Sequence, residues 1–193
     1  MAKEDPFIVV ALKVAEDILG GNLIIKRSAS ILYQVTVDNK LNLTVNPKSP
    51  KRGQSAFQTD LCVFEKIGND TEIPRVVIEF KPSITTHDVL TYSSKAKKHK
   101  QVYPYLRYGM LISKISIIPN RVYTHNEFLD FVICAGEVQK RRLHQLLETL
   151  LNKEIKASRT LEKIYFGKSS AYMFRKGIEI DETKYSCRQT KLK

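Results

Sequence analysis

The segment Arg75-Val-Val-Ile-Glu79-Phe-Lys81 sets two charges on an apolar, β-branched run, and it constrains the fold more than any other stretch of the chain. A run this rich in Val and Ile reads as a strand over residues 75–80. Side chains alternate along a strand, so Val76, Ile78 and Phe80 belong to one face while Glu79 and Lys81 project from the other. Charges beside a buried strand are costly unless they have a partner or a task. The preceding apolar segment, residues 57–67, reads as a second strand and carries Asp60, and Gly68-Asn69-Asp70 supplies turn chemistry between the two. The pair is expected to form an antiparallel hairpin with Asp60 on one arm and Glu79 and Lys81 on the other.

Helical signals flank this hairpin. Ile8, Leu12, Ala15 and Leu19 recur near helical spacing within residues 7–19, and Gly20-Gly21 stops the pattern. Between Lys40 and Gly53 the chain is rich in Asn, Lys, Ser and Pro, read as a weak strand over 41–45 followed by a mobile basic loop. Thr85-x-x-Asp88 matches a capping box and opens a helix expected to reach Val102. Strands are expected over residues 108–118 and 128–135. A long amphipathic helix is expected over 137–164, built on Val138, Leu143, Leu146, Leu147, Leu150, Leu151, Ile155 and Leu161, with Ala157-Ser158 as a candidate break. Thr124-His-Asn-Glu127 reads as a cap or turn, and His87 and His99 as surface positions.

With 193 residues, 42% of them hydrophobic, and no shift in composition along the chain, one α/β domain spanning 1–193 is expected. Its core would cover about 7–135, a helical part about 137–180, and a frayed basic tail 181–193. No apolar run approaches the roughly 20 residues that span a bilayer, and no secretory leader is evident, so no membrane role and an intracellular location are expected. Cys62, Cys134 and Cys187 are odd in number and scattered, which argues for free thiols over disulfides or structural zinc. The net charge of +12, from 32 Lys+Arg against 20 Asp+Glu, favours a polyanionic partner.

The order helix, hairpin bearing Asp60 and Glu79-Phe-Lys81, helix, strand resembles the PD-(D/E)XK nuclease superfamily over residues 7–135. The resemblance implies a restriction-endonuclease-like fold, a mixed central sheet flanked by helices. It further implies that Asp60 and Glu79 hold a divalent metal with the backbone carbonyl of Phe80 beside it, and that Lys81 assists the attacking water. Many members of that superfamily complete the metal site with a glutamate of the first helix, the place of Glu16 here; a solvated helix charge next to Asp17 is the alternative. Gln101-Val-Tyr-Pro-Tyr105 is similar to the Gln-x-x-x-Tyr unit of exonuclease-type members, although Pro104 removes the helical bond to the Lys100 carbonyl.

Those residue types also suit the chemistry on physical grounds. Phosphodiester hydrolysis needs a nucleophile and charge stabilisation, and magnesium, with manganese as substitute, supplies both when carboxylates hold it. An ammonium beside two carboxylates stays protonated, so Lys81 is assigned to electrostatic stabilisation, and the proton acceptor to no residue. From Thr91 to Arg121 the chain carries Lys95, Lys97, Lys98, Lys100, Arg107, Lys114 and Arg121 with no Asp or Glu among them. Lys95, Lys97, Lys98, Lys100, Gln101, Tyr105 and Arg107 are expected to contact DNA. Lys140, Arg141 and Arg142 open the long helix against its dipole, which hints at a partner.

The expectation is a magnesium-dependent DNA endonuclease, restriction-type first and junction-resolving second. A homodimer is expected, with the long helix as candidate interface. The alternative from another class is a non-catalytic nucleic-acid-binding or assembly protein. RNA as substrate and nicking in place of double-strand cutting stay open.

Overall fold

The computed structural model describes residues 6–18, 20–68, 71–173 and 179–180. Helix α1 covers Pro6–Ile18, and its Ala11, Val14 and Ala15 are buried at helical spacing. Strand β1 (Leu23–Leu32) follows, a strand that sequence reasoning missed. Its alternation is broken at Ser28, whose φ is 51°, so no clean period of two runs through the segment. The weak strand expected over 41–45 is not formed. That region holds an isolated bridge between Val37 and Leu43, and only Lys51–Arg52 forms a short strand, β2.

Strands β3 (Ser55–Ile67) and β4 (Thr71–Lys81) form the expected antiparallel hairpin; Asn69 and Asp70 of its turn lie outside the described residues. β4 begins four residues before the expected 75–80 strand and accommodates Pro74, because the register shifts between Val63 and Phe64 opposite it. A bulge relieves proline of the ladder bond it cannot donate. Helix α2 (Thr86–Val102) has the capping box foreseen: Asp88 N–H donates to Thr85 Oγ1 at 3.1 Å and Thr85 N–H to Asp88 Oδ2 at 2.8 Å.

Strand β5 (Arg107–Ile112) ends six residues short of the expected 118, its continuation turning so that Ile115 and Ile118 pack on the core. Gly109 in β5 is required by contact, since a Cβ there would lie 2.3 Å from the Phe131 ring. Helix α3 (Asn120–His125) and strand β6 (Phe131–Cys134) lead to α4 (Lys140–Tyr165), which runs 26 residues without the break considered at Ala157-Ser158. Ser158 is fully buried there. The helical part ends at Tyr165, short of 180, and the tail 181–193 lies outside the described residues.

The sheet is mixed and six-stranded, ordered β1-β3-β4-β5-β6 with β2 beside β3. β1, β3 and β4 are antiparallel, while β4, β5 and β6 are parallel. Helices cover both faces, so the protein is α/β. Val89 and Ala96 of α2 pack on Cys62, Val77, Met110 and Ile112; Leu143, Leu147, Leu151 and Ile155 of α4, with α1, pack on Leu61, Val63, Val76, Ile78 and Leu111. Each of these leucines contributes roughly 1.5–3 kcal/mol by burial. The apolar face of α4, the helix expected as a candidate dimer interface, is therefore buried inside the subunit. An ion cluster around the buried Arg75 and Glu65 ties α4 to the hairpin: Arg75 bonds Glu65 at 2.7 Å and Glu162 at 2.6 Å, and the partly exposed Arg159 bonds Glu65 at 2.7 Å. Among the described residues no helix is long and apolar enough to cross a membrane. Cys62 and Cys134 are buried free thiols; Cys187 lies outside the described residues.

Candidate functional site

Two partings of strands create the site. β3 and β4 pair as far as Leu61↔Ile78. Beyond that point β4 continues beside β5 to Lys81↔Ile112, while β3 stays with β1 to Ala56↔Leu32. The sheet thus opens where Asp60 and Glu79 stand opposite each other. β1 and β3 also change face parity here: Ile24 packs on the α2 side, and so do Ala29 and Ile31 past the left-handed Ser28. On β3, Cys62 and Phe64 face α2, as does Phe57, which meets the His99 ring edge-on.

The lost ladder bonds are replaced by side chains. Phe80 N–H donates to Asp60 Oδ2 at 2.8 Å and Asp60 N–H to Glu79 Oε2 at 3.3 Å. Each carboxylate therefore binds backbone of the facing strand. In a strand one residue's N–H and C=O leave on the same edge, so the Phe80 carbonyl also faces the opening toward β3. Alternation puts Glu79 and Lys81 on the α2 side and Val76 and Ile78 on the α1 and α4 side, with Phe80 packed among the latter, as the sequence implied.

Glu79 is 2% exposed. Its Oε1 accepts from the hydroxyl of Tyr108 on β5 and lies 3.8 Å from the Lys95 ammonium of α2. Burial raises the Glu79 carboxyl to about 7; Tyr108 and Lys95 oppose that rise and the charge of Asp60 adds to it. Lys81 turns toward Asp88 at 3.4 Å. Burial acts to lower its pKa, but Tyr92 and Asp88 outweigh this and hold the ammonium above its ordinary value. The ammonium nearest Glu79 is that of Lys95, not of Lys81. Tyr92 lies between them, its ring centroid 5.4 Å from Lys81 Nζ and 4.9 Å from Lys95 Nζ.

Behind Tyr108 sits His99, expected at the surface but fully buried. Its Nδ1 bonds the Leu32 carbonyl at 2.9 Å and its ring stacks on Tyr108 with centroids 5.6 Å apart. Burial lowers its pKa to about 4, so the ring is neutral at physiological pH. The surface reading failed because α2 buries the stripe Val89, Ser93, Ala96 and His99, and the last of these is polar. Tyr108 and Tyr92 carry no motif of their own. The signal that marks Tyr108 is its register on a strand parallel to β4, which needs the sheet order.

The other expected residues are divided. Lys97, Lys98 and Gln101 are exposed on α2, with Lys97 over Phe128 at 5.1 Å and Lys98 over Tyr33 at 5.3 Å. Lys100 binds Asp130 at 2.7 Å and the Phe128 carbonyl at 2.6 Å, and Arg107 binds Asp130 at 2.9 Å and also Glu154, so both cations have acidic partners within the fold. Tyr105 is buried beside Arg75, whose guanidinium carbon is 5.4 Å from its ring. α2 ends at Val102, so Gln101 and Tyr105 do not share a helical face. Glu16 is exposed on α1, a helix packed on the opposite sheet face from Glu79. Among the described residues no group of three or more His, Cys, Asp or Glu side chains is placed to hold a metal, so Glu16 does not join Asp60 and Glu79.

The arrangement offers two carboxylates across a strand opening, one solvent-facing and one buried, with two ammoniums on the same side. It can bind a cation or an anion that brings one. No protein-family model matches the chain, and no curated protein matches it.

Proposed function

We propose that the chain is a metal-dependent DNA endonuclease of the PD-(D/E)XK type, restriction-type in its simplest form. The observation that carries this reading is the opening between β3 and β4, where Asp60, Glu79 and the Phe80 backbone meet on the strand that ends in Lys81. The order of elements around that opening, a helix, antiparallel strands, a helix and a parallel strand, supports a restriction-endonuclease-like fold.

The residues fit magnesium. That ion takes one or two carboxylates and keeps several waters. Glu79 is a buried carboxyl whose proton is retained for want of a nearby positive charge strong enough to offset burial, which is what a dication supplies. Asp60, Glu79 and the Phe80 carbonyl would hold it, and manganese would substitute. When bound, the metal lowers the pKa of a water and places positive charge against the phosphoryl oxygens. Tyr108 orients Glu79 through its hydroxyl, and Lys81 stabilises charge that develops on the phosphate. Lys97 and Lys98 give the DNA backbone its contacts along α2. Cutting both strands at once requires two sites, so a homodimer is part of the proposal, formed through a surface other than the buried face of α4. Sedimentation as a monomer on DNA would argue against it.

One observation favours a second reading. Tyr108 and Lys95 give Glu79 partners within the fold, as a structural acid of a non-catalytic nucleic-acid-binding protein would have. Incubating supercoiled plasmid, linear duplex, single strand and a four-way junction with magnesium, manganese or chelator separates the readings. Metal-dependent cutting of duplex is the expected result, and preference for the junction would indicate a resolvase. Salt-sensitive binding without cutting under any metal would favour the second reading.

A further inference from the structure

Between β1 and β3 the chain leaves the sheet, and residues 36–44 build a hairpin of their own before β2 returns beside β3. Val37 and Leu43 form an antiparallel bridge, Thr44 N–H donates to the Thr36 carbonyl at 2.9 Å, and the hydroxyls of Thr36 and Thr44 bond each other. Asp38 closes the tip. Its N–H donates to the Asn42 carbonyl at 2.9 Å, its carbonyl accepts from Leu41 N–H at 3.0 Å, and its Oδ1 accepts from the N–H of Lys40 at 2.8 Å and of Asn42 at 2.9 Å.

The hairpin exposes apolar side chains from its base at Val35 to its tip at Leu41. Val35, Val37, Leu41 and Leu43 are 43%, 55%, 82% and 54% exposed. Single exposed apolar residues need no explanation, whereas a cluster at a projecting tip marks a contact surface. Leu41 is also held at φ 64°, a left-handed conformation that glycine or asparagine adopts with far less steric strain. A strained leucine that gains no burial in return points to use by a partner.

Charge identifies the partner. Between Asp38 and Asp60 the chain carries Lys40, Lys48, Lys51 and Arg52 and no acid. At the hairpin base, Gln34 and Val35 line a groove with Tyr33, Lys98 and Gln101, which joins this cationic arm to the basic flank of α2. The base, at Leu32↔Ala56, is four strand residues from Asp60, roughly 13 Å. A two-stranded ribbon can enter a groove of duplex DNA, and apolar wedges inserted from the minor groove unstack base steps.

We propose that segment 33–54, the hairpin with the basic stretch that follows it, is a duplex-DNA-binding arm whose cations hold the phosphate backbone and whose Leu41 wedges against a base step beside the candidate active site. The arm rests on the proposed function for its DNA partner, not for hydrolysis.

Leu41→Gly tests it, because glycine removes the wedge and accepts the backbone conformation, so the fold is kept or stabilised. Binding to short duplexes carrying 2-aminopurine is measured in chelator by anisotropy and fluorescence. Wild type is expected to raise the 2-aminopurine signal. Leu41→Gly should lose that rise and bind roughly tenfold more weakly with an unchanged salt slope. Replacing Lys48, Lys51 and Arg52 together by alanine should reduce the slope by about 3. Duplex binding and signal in Leu41→Gly equal to wild type would overturn the arm, as would no duplex binding by wild type. A shift in self-association with duplex binding unchanged would also overturn it. Cleavage is a separate readout: a protein that needs Leu41 to open DNA yet cuts nothing keeps the arm and sinks the nuclease, and a Leu41→Gly protein that cuts normally while its duplex binding and signal equal wild type keeps the nuclease and sinks the arm.

Discussion

Glu79 is the residue on which the site turns, because its carboxyl is buried, faces another carboxylate and is held by one phenol. Its folded-state pKa of about 7 lies above the ordinary 4.5. The folded chain therefore keeps a proton that the unfolded chain releases between those values, and stability falls as pH rises through that window. Above pH 7 the ionised form costs roughly 3 kcal/mol. Glu79→Gln cannot ionise, so in chelator it should melt several degrees above wild type at pH 8, the difference closing near pH 4. Parallel melting curves across pH would refute the assignment. Tyr108→Phe removes only the hydroxyl that orients Glu79, and a magnesium titration of cleavage should show affinity or activity reduced about 10- to 100-fold. In the sequence, Asp60, Glu79 and Lys81 were legible because strand alternation is a local rule. That Lys95 is the nearer ammonium to Glu79, and that Tyr108 binds it, depends on how α2 and β5 dock, which no local pattern carries.

Among the elements, α2 joins fold to site. Asp88 caps its N-terminus through Thr85 and also pairs with Lys81, so one carboxylate sets both the helix start and the position of the candidate catalytic lysine. Thr85→Ala should lower stability by about 1 kcal/mol in urea unfolding, the ordinary loss for a cap. The capping box and the β3–β4 hairpin were readable because their signals are short and strong. β1 was not, since Ser28 breaks its alternation, and β4 outran its expected start because proline is permitted opposite a bulge. Where the local rule fails at Ser28, the strands also change face beside Asp60. The irregularity and the candidate site coincide.

At the scale of the whole molecule, the parallel strands β4 and β5 end side by side at Lys81 and Ile112, and the carboxylate pair lies near that carboxyl end of the sheet, where open α/β sheets bind ligands. The net charge of +12 is the ground for expecting a polyanionic partner. Composition alone does not show that acids distant in sequence bind part of the basic segment, Asp130 and Glu154 taking Lys100 and Arg107, while Lys97 and Lys98 of α2 and Lys48, Lys51 and Arg52 ahead of β3 are exposed. We propose that Asp60 and Glu79 form one hydrolytic centre. Asp60→Asn tests it most directly, since the amide oxygen still accepts from Phe80 N–H and the fold is kept. Magnesium-dependent nicking of supercoiled plasmid should fall at least about 100-fold in this variant at unchanged melting temperature. Equal cleavage by both proteins, or none by wild type with any metal, would show that Asp60 and Glu79 are not a hydrolytic centre.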